Sequence, residues 1–213
     1  MEKLTYTTVD APFQFEIPKI KGSRFITSVF PIDSKDHVPE YLSQVQKQHF
    51  WATHHCYAWR AGVRVQEDLF WEWDIVALAE KVNDDWEPSN TAGKPILNVL
   101  KWDQIFGILA VVTRYFWGTL LGVGGLIQAY TLAIKSTLAQ TPLLQKEITK
   151  KLMIHYRYEE VSRVQHLFAK YQAIPYYQEY GDIVTQGVEV NYSFFQNLTK
   201  DLTSWRIDYE EVL

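Results

Sequence analysis

Cysteine is nearly absent from this chain: Cys56 is the one thiol among 213 residues. A lone thiol excludes an internal disulfide and suits a reducing, cytoplasmic setting. Long apolar runs are missing too. The longest, from Ile105 to Val112, falls far short of the about 20 apolar residues that a bilayer-spanning helix needs, so no membrane is expected as a partner. The opening segment MEKLTYTTVD has no basic stretch followed by an apolar one, and no signal peptide is read there. Neither sign of charge dominates: 21 Lys and Arg face 25 Asp and Glu, for a net charge of −4. That balance argues against a protein that coats nucleic acid, while a local basic groove stays compatible with it. Glycine is scarce at ten residues, where average usage of about 7 % would give roughly 15.

Tryptophan, by contrast, is plentiful at eight residues. Several stand where a glycine makes better physical sense: Trp86 after two aspartates, Trp117 before Gly118, and Trp71 and Trp73 in the turn-like FWEWD. The remaining composition, 47 % hydrophobic and 22 % charged, is that of an ordinary soluble globular protein. The length accommodates one large or two small domains with a proper core.

Periodicity gives the organisation. Residues 4–31 alternate apolar and polar and read as a strand pair turning near Lys21-Gly22-Ser23. Val38, Tyr41, Leu42 and Val45 share one face of a helix over 38–49. ATHHCYAWRAG, residues 52–62, reads as a strand with His55, Tyr57 and Trp59 on one side and His54, Cys56 and Ala58 on the other. Residues 63–83 are poorly patterned and read as a long connection with a short helix at Ile75–Glu80. Thr91 is placed to cap a helix running through Pro95, Ile96 and Leu100. Ile105–Tyr115 is a buried strand, and a long helix runs from about Gly124 to Ala139. After a break at Thr141-Pro142 the order becomes strand, helix, strand, strand, helix, strand, the βαββαβ of ferredoxin-like domains. The expectation is therefore α+β, with domains at 1–140 and 141–213.

Two motifs carry the chemistry: VNDDWEPSNTAGKPIL and VVTRYFWGTLLGVGGLIQAY. In the second, Gly122, Gly124 and Gly125 lie between a buried strand and a helix. They suit either an anion at the helix N-terminus or a tight turn needing positive φ. Asp84, Asp85 and Glu87 offer hard oxygen ligands for a divalent cation, or a loop that caps neighbouring backbone. Arg114 ends the buried strand and suits either a ligand or an internal clamp to the acidic loop. His54, His55 and Cys56 are zinc-capable types, but adjacent strand residues face opposite ways and no further ligand motif supports them. Thr91, Lys94 and Tyr115 complete the candidate binding set from the same motifs. Tyrosines and phenylalanines of the C-terminal half, such as Tyr176, Tyr177 and Tyr180, suit either RNA stacking or core packing.

KGSRFIT, THHCYAWRAG and the two motifs above resemble, in order and spacing, the bacterial two-domain branch of the IMPACT family. The resemblance is strong over residues 20–140 and extends to a small C-terminal domain. It implies an N-terminal fold shared with a ribosomal-protein domain, elongation factor G domain IV and the GHMP kinases. It implies a ferredoxin-like C-terminal domain similar to the end domain of elongation factor G. Eukaryotic relatives regulate translation by competing for the ribosome-associated activator of a stress kinase. The resemblance thus implies a non-catalytic binding or regulatory protein whose partner is the ribosome, RNA or a protein. No catalytic residue, cofactor or metal is assigned, and no sequence-specific DNA binding is expected. The alternative is an enzyme acting on a phosphorylated small molecule or nucleotide. The family pattern reads roughly DDGEPSGTAG and RYFGG; this chain has Trp86, Asn90 and Trp117 at three of those glycines. Two readings stay open: loops remodelled so that the two indoles pack on each other, or a genetic code in which these codons specify glycine.

Overall fold

The computed structural model describes residues 3–67 and 73–212. It is an α+β structure in two compact units: Tyr6–Lys146, and residues 147–212 together with the N-terminal residues up to Thr5.

The larger unit is built on a five-stranded antiparallel sheet. Its strands are β2 (Phe13–Ile20), β3 (Ser23–Pro31), β4 (His54–Glu67), β5 (Trp73–Asn83) and β6 (Ile108–Tyr115), in the order β2-β3-β6-β4-β5. A short strand β1 (Thr5–Val9) pairs outside this sheet with β7 (Leu143–Glu147). Among the described residues the unit also holds the α-helices α1 (Val38–Gln48), α2 (Gly93–Trp102) and α3 (Gly122–Leu138). The central strand β6 is buried along nearly its whole length, which explains its unbroken apolar sequence.

Alternation sorts the side chains of this sheet between two cores. Phe25, Val29, Cys56, Ala58, Ala110 and Val112 face α2 and α3. Phe30, Trp59, Leu109 and Val111 face α1 through Val38 and Val45. The hairpin between β2 and β3 turns at Lys21 and Gly22, both at positive φ (46° and 85°), as a two-residue hairpin loop requires.

One expectation fails here. Among the described residues, 63–67 and 73–83 are neither a connection nor a helix. They extend β4 and form β5, paired from Tyr57↔Asn83 to Glu67↔Trp73. β5 is an edge strand whose Asp74, Leu78 and Glu80 are exposed, so its apolar alternation is weak. Good helix formers such as Ala77-Leu78-Ala79 are held extended by the ladder to β4, a case of tertiary context overriding propensity. Of the turn-like FWEWD, Phe70–Glu72 lie outside the described residues, and Trp73 and Asp74 belong to β5.

The smaller unit has β8 (Thr149–Tyr156), α4 (Val161–Tyr171), β9 (Ile174–Tyr180), β10 (Val184–Asn191), α5 (Tyr192–Ser204) and β11 (Asp208–Val212). The sheet order is β11-β8-β10-β9. Leu152, Ile154, Val188 and Val190 from the sheet pack with Leu167 and Phe168 of α4 and Leu198 and Leu202 of α5. Asn191 caps α5 by accepting from Ser193 N and also accepts from Leu4 N, which ties the N-terminal residues into this unit. Among the described residues no helix is long and apolar enough to cross a membrane.

Candidate functional site

At one end of the larger sheet, two connections lead from a strand into a helix. Residues 84–92 join β5 to α2, and residues 116–121 join β6 to α3.

The first connection begins with a tight turn. Glu87 N donates to Asp84 O at 2.9 Å, and the two central residues, Asp85 and Trp86, have φ of 41° and 67°. Two successive positive φ values under an i→i+3 hydrogen bond define a type I′ turn, which favours Asp-Gly. Trp86 therefore occupies a glycine position. Its indole is 95 % exposed, so it does not pack on Trp117, and the expectation of two stacked indoles is corrected. Asn90 also sits at positive φ, 63°, whereas Trp117 does not.

The acids of this loop do not converge on a common point. Asp84 Oδ1 accepts from Ala92 N and Gly93 N at 3.0 and 2.8 Å, and its Oδ2 accepts from Asn90 N at 2.8 Å. Asp84 thus caps α2 from a distance, because the N-cap residue Ala92 has no side-chain acceptor. Thr91 is not the cap: its hydroxyl donates to Pro88 O. Asp85 Oδ2 accepts from His55 N at 2.6 Å, and Asp85 O accepts from His54 Nδ1 at 2.7 Å. A carbonyl only accepts, so His54 carries its proton on Nδ1 and turns Nε2 elsewhere.

Glu87 points inward and is 9 % exposed. Its Oε1 accepts from Arg114 Nη1 at 2.6 Å and from Tyr130 OH at 2.8 Å. Arg114, 4 % exposed, also donates through Nη2 to Ser23 Oγ. The expected link between acidic loop and arginine is thus a buried ion pair. Removing either partner of such a pair leaves an uncompensated buried charge. Burial pushes the Tyr130 hydroxyl well above its ordinary pKa, which keeps it a donor to Glu87. Burial likewise pushes up the Cys56 thiol, which donates to Asp84 O at 2.9 Å and has Tyr130 OH 3.3 Å away. A thiol held protonated is a poor nucleophile and a poor zinc ligand.

The second connection is built differently. Gly118 and Gly122 have φ of 81° and 72°, and α3 starts at Gly122 with no side-chain cap and no acid in its first turn. The expected glycine turn at 122–125 is narrower than the spacing suggests: Gly122 alone is left-handed, and Gly124 and Gly125 already belong to the helix. Between the two connections lies a cleft of about 370 Å³ lined by His54, Glu87, Pro88, Arg114 and Gly122, with apolar walls from Phe116, Leu120, Leu121, Val123 and Leu126.

The remaining candidates lie elsewhere. His55 and Tyr115 face the opposite side of the sheet, as alternation demands. Tyr115 OH meets His49 Nδ1 at 3.0 Å, and burial lowers the pKa of His55. Lys94 lines a separate groove of about 370 Å³ between α2 and α3, with Asn90, Asn98, Trp102, Thr131 and Lys135. Ser23, Tyr130, Phe116 and the leucines of the cleft were not singled out from sequence. They look like core residues in any periodicity analysis, and contacts across the sheet make them part of the site.

Residues 21–138 match the family described as the Impact N-terminal domain. The chain is 31 % identical to IMPACT family member YvyE of Bacillus subtilis (strain 168), over 97 % of this chain and 91 % of that protein. It is 32 % identical to IMPACT family member YigZ of Escherichia coli (strain K12), over 72 % of this chain and 71 % of that protein. A crystal structure described as that of a hypothetical protein superposes with a TM-score of 0.68 at 26 % identity, covering 100 % of this chain and 99 % of the other.

Proposed function

The chain belongs to the IMPACT family, and on that premise we propose that it is a non-catalytic binding or regulatory protein associated with translation, in contact with the ribosome or RNA. One observation carries the non-catalytic part. Every chemically capable side chain of the acidic loop is engaged by its own fold: Asp84 by α2, Asp85 by β4, and Glu87 by Arg114 and Tyr130. A general base or nucleophile needs a free lone pair facing substrate, and each of these carboxylates gives at least one oxygen to holding the loop. What the loop and cleft present outward is recognition surface.

The translational part draws on two further features. The groove between α2 and α3 joins Lys94 and Lys135 with Asn90, Asn98 and Trp102 and, among the described residues, has no acid in its lining, which suits phosphate and base contacts. The sheet order β11-β8-β10-β9 with a βαββαβ chain agrees with the ferredoxin-like end domain of elongation factor G that the family resemblance implies. The test is sedimentation with ribosomes across a salt series. Co-sedimentation at about 50 mM salt that weakens steeply by about 200 mM is expected. Lys94→Glu with Lys135→Glu should lower the salt slope by about one to two. Failure to co-sediment even at low salt sinks the reading.

The second reading, an enzyme acting on a phosphorylated small molecule or nucleotide, draws on Gly122 opening α3 beside Arg114. Against it stands a cleft lining without a lysine among the described residues and an arginine already matched by Glu87.

A further inference from the structure

We infer that the groove between α2 and α3 binds single-stranded RNA, with phosphates on Lys94 and Lys135, a base stacked on Trp102, and ribose hydroxyls against Asn98 and Thr131. The inference rests on the translational reading of this groove given above, and names the form of nucleic acid that the groove takes.

Each helix contributes a ladder to the groove. Lys94, Asn98 and Trp102 follow one another at four-residue spacing along α2, and Ile127, Thr131 and Lys135 do so along α3. That spacing puts each set on one stripe of its helix, and the two stripes line the groove of about 370 Å³. Both helices begin at the same end of the sheet. Lys94, in the first turn of α2, and Lys135, in the last turn of α3, therefore stand toward opposite ends of the groove. The α2 stripe from Lys94 to Trp102 is about 12 Å long, room for about three to four nucleotides at about 3.4 Å each.

Charge points to a polyanion. Neither helix contains an Asp or Glu, and the two carry Lys94, Lys101 and Lys135, although the whole chain has 25 acids against 21 Lys and Arg. Glu80 takes Lys101. Lys94 and Lys135 enter no ion pair among the described residues, so an acid-free groove in an acidic protein keeps a local positive field. The other groups select single-stranded RNA. Trp102 is 86 % exposed and offers its indole face to an unstacked base, whereas a duplex keeps its bases inside the stack. Asn98 and Thr131 make no side-chain hydrogen bond among the described residues. Amide and hydroxyl groups both donate and accept, as contact with a ribose 2′-OH requires, and DNA lacks that hydroxyl. An acidic peptide would match the lysines but bring no base for the indole.

The experiment is a fluorescence anisotropy titration of labelled oligoadenylate RNA, about 12 nucleotides long, with the full chain at about 50 mM salt. The expected result is saturable binding, at least about tenfold tighter than that of the same DNA sequence or of an RNA duplex of equal length. Lys94→Gln with Lys135→Gln should weaken binding at least about tenfold. It should also lower the slope of log K against log salt by about 1.4, two phosphates at about 0.7 each. Trp102→Ala should weaken binding about fivefold or more and leave that slope unchanged. All three side chains are exposed, so the variants should keep the parent melting temperature. No saturable binding, equal binding of DNA or duplex, displacement of the RNA by polyglutamate of equal charge, or binding unchanged in the lysine pair would each overturn the inference. The titration contains no ribosomes. Co-sedimentation without RNA binding would overturn the groove assignment and leave the translational reading standing; RNA binding without co-sedimentation would do the reverse.

Discussion

The two strand-to-helix connections at the end of the larger sheet solve the same problem in opposite ways. Each must carry the chain from an extended strand into a helix whose first amides need acceptors. The loop before α2 closes on itself: Asp84 supplies the acceptors, Asp85 ties the loop to β4, and Glu87 anchors it to Arg114. The loop before α3 leaves the helix end open, with glycines and apolar side chains around it. The closed loop is scaffold and the open one is surface. Residue type alone would have reversed the assignment, because the acids sit in the closed loop.

The largest expected effect comes from removing the anchor of the closed loop. Arg114→Leu leaves Glu87 buried without its cation, and should cost about 3–5 kcal/mol in urea unfolding; a loss below about 1 kcal/mol would mean that the pair does not hold the loop. Next come the glycines at the two helix starts. A Cβ on Gly93 would lie 2.8 Å from Asn83 N, so Gly93→Ala should destabilise by about 1–3 kcal/mol through a backbone clash. Gly124→Ala meets nothing and should stabilise α3 by about 1 kcal/mol. Equal effects at both positions would erase the contrast between the two loops.

Trp86→Gly should stabilise the protein by about 1–2 kcal/mol, because it relieves a left-handed non-glycine residue. Trp117→Gly should bring no such gain, since its φ is not positive. Thermal melts of the two variants separate a turn that demands glycine from one that does not. An intact mass of the natively expressed protein matching eight tryptophans would rule out glycine at these codons.

The smallest effect concerns the opposite face of the sheet. Burial lowers the pKa of His49 and His55, so the unfolded chain binds protons at these sites before the folded one does. Their contribution is complete above the unfolded value, about 6.5, and is lost as pH falls through the lower folded values. Replacing both with glutamine should flatten the decline in stability between about pH 7 and pH 5. An unchanged slope would place that decline on groups other than these two histidines, because carboxylates such as Asp201 and Glu147, whose pKa values are lowered by Lys170 and Lys3, lose their contribution only below about pH 5.

Much of the fold was legible along the chain. The alternation of 52–62 sorted His54 and Cys56 from His55 and Trp59 as the two cores do. The smaller unit's six elements follow their expected order with shifts of about two residues. β5 was not legible, because an edge strand has one ladder and little burial to stamp a period on its sequence. Within the candidate site, the acids and Arg114 stood out by type, but their bonding did not. Whether Asp84 binds a cation or caps a helix depends on where α2 begins relative to the turn, and no local pattern encodes that distance.

The sequence by itself determined the family, the α+β class and the identity of the two motifs, because those properties reside in residue order and periodicity. Tertiary structure decided what the motif residues do. Three acids within four positions point three ways, since a type I′ turn followed by a bend aims each at a different element. The start of α3 is left open, because no side chain folds back to its amides. Periodicity measures which face a residue lies on; only the packed chain fixes which donor and acceptor finally meet.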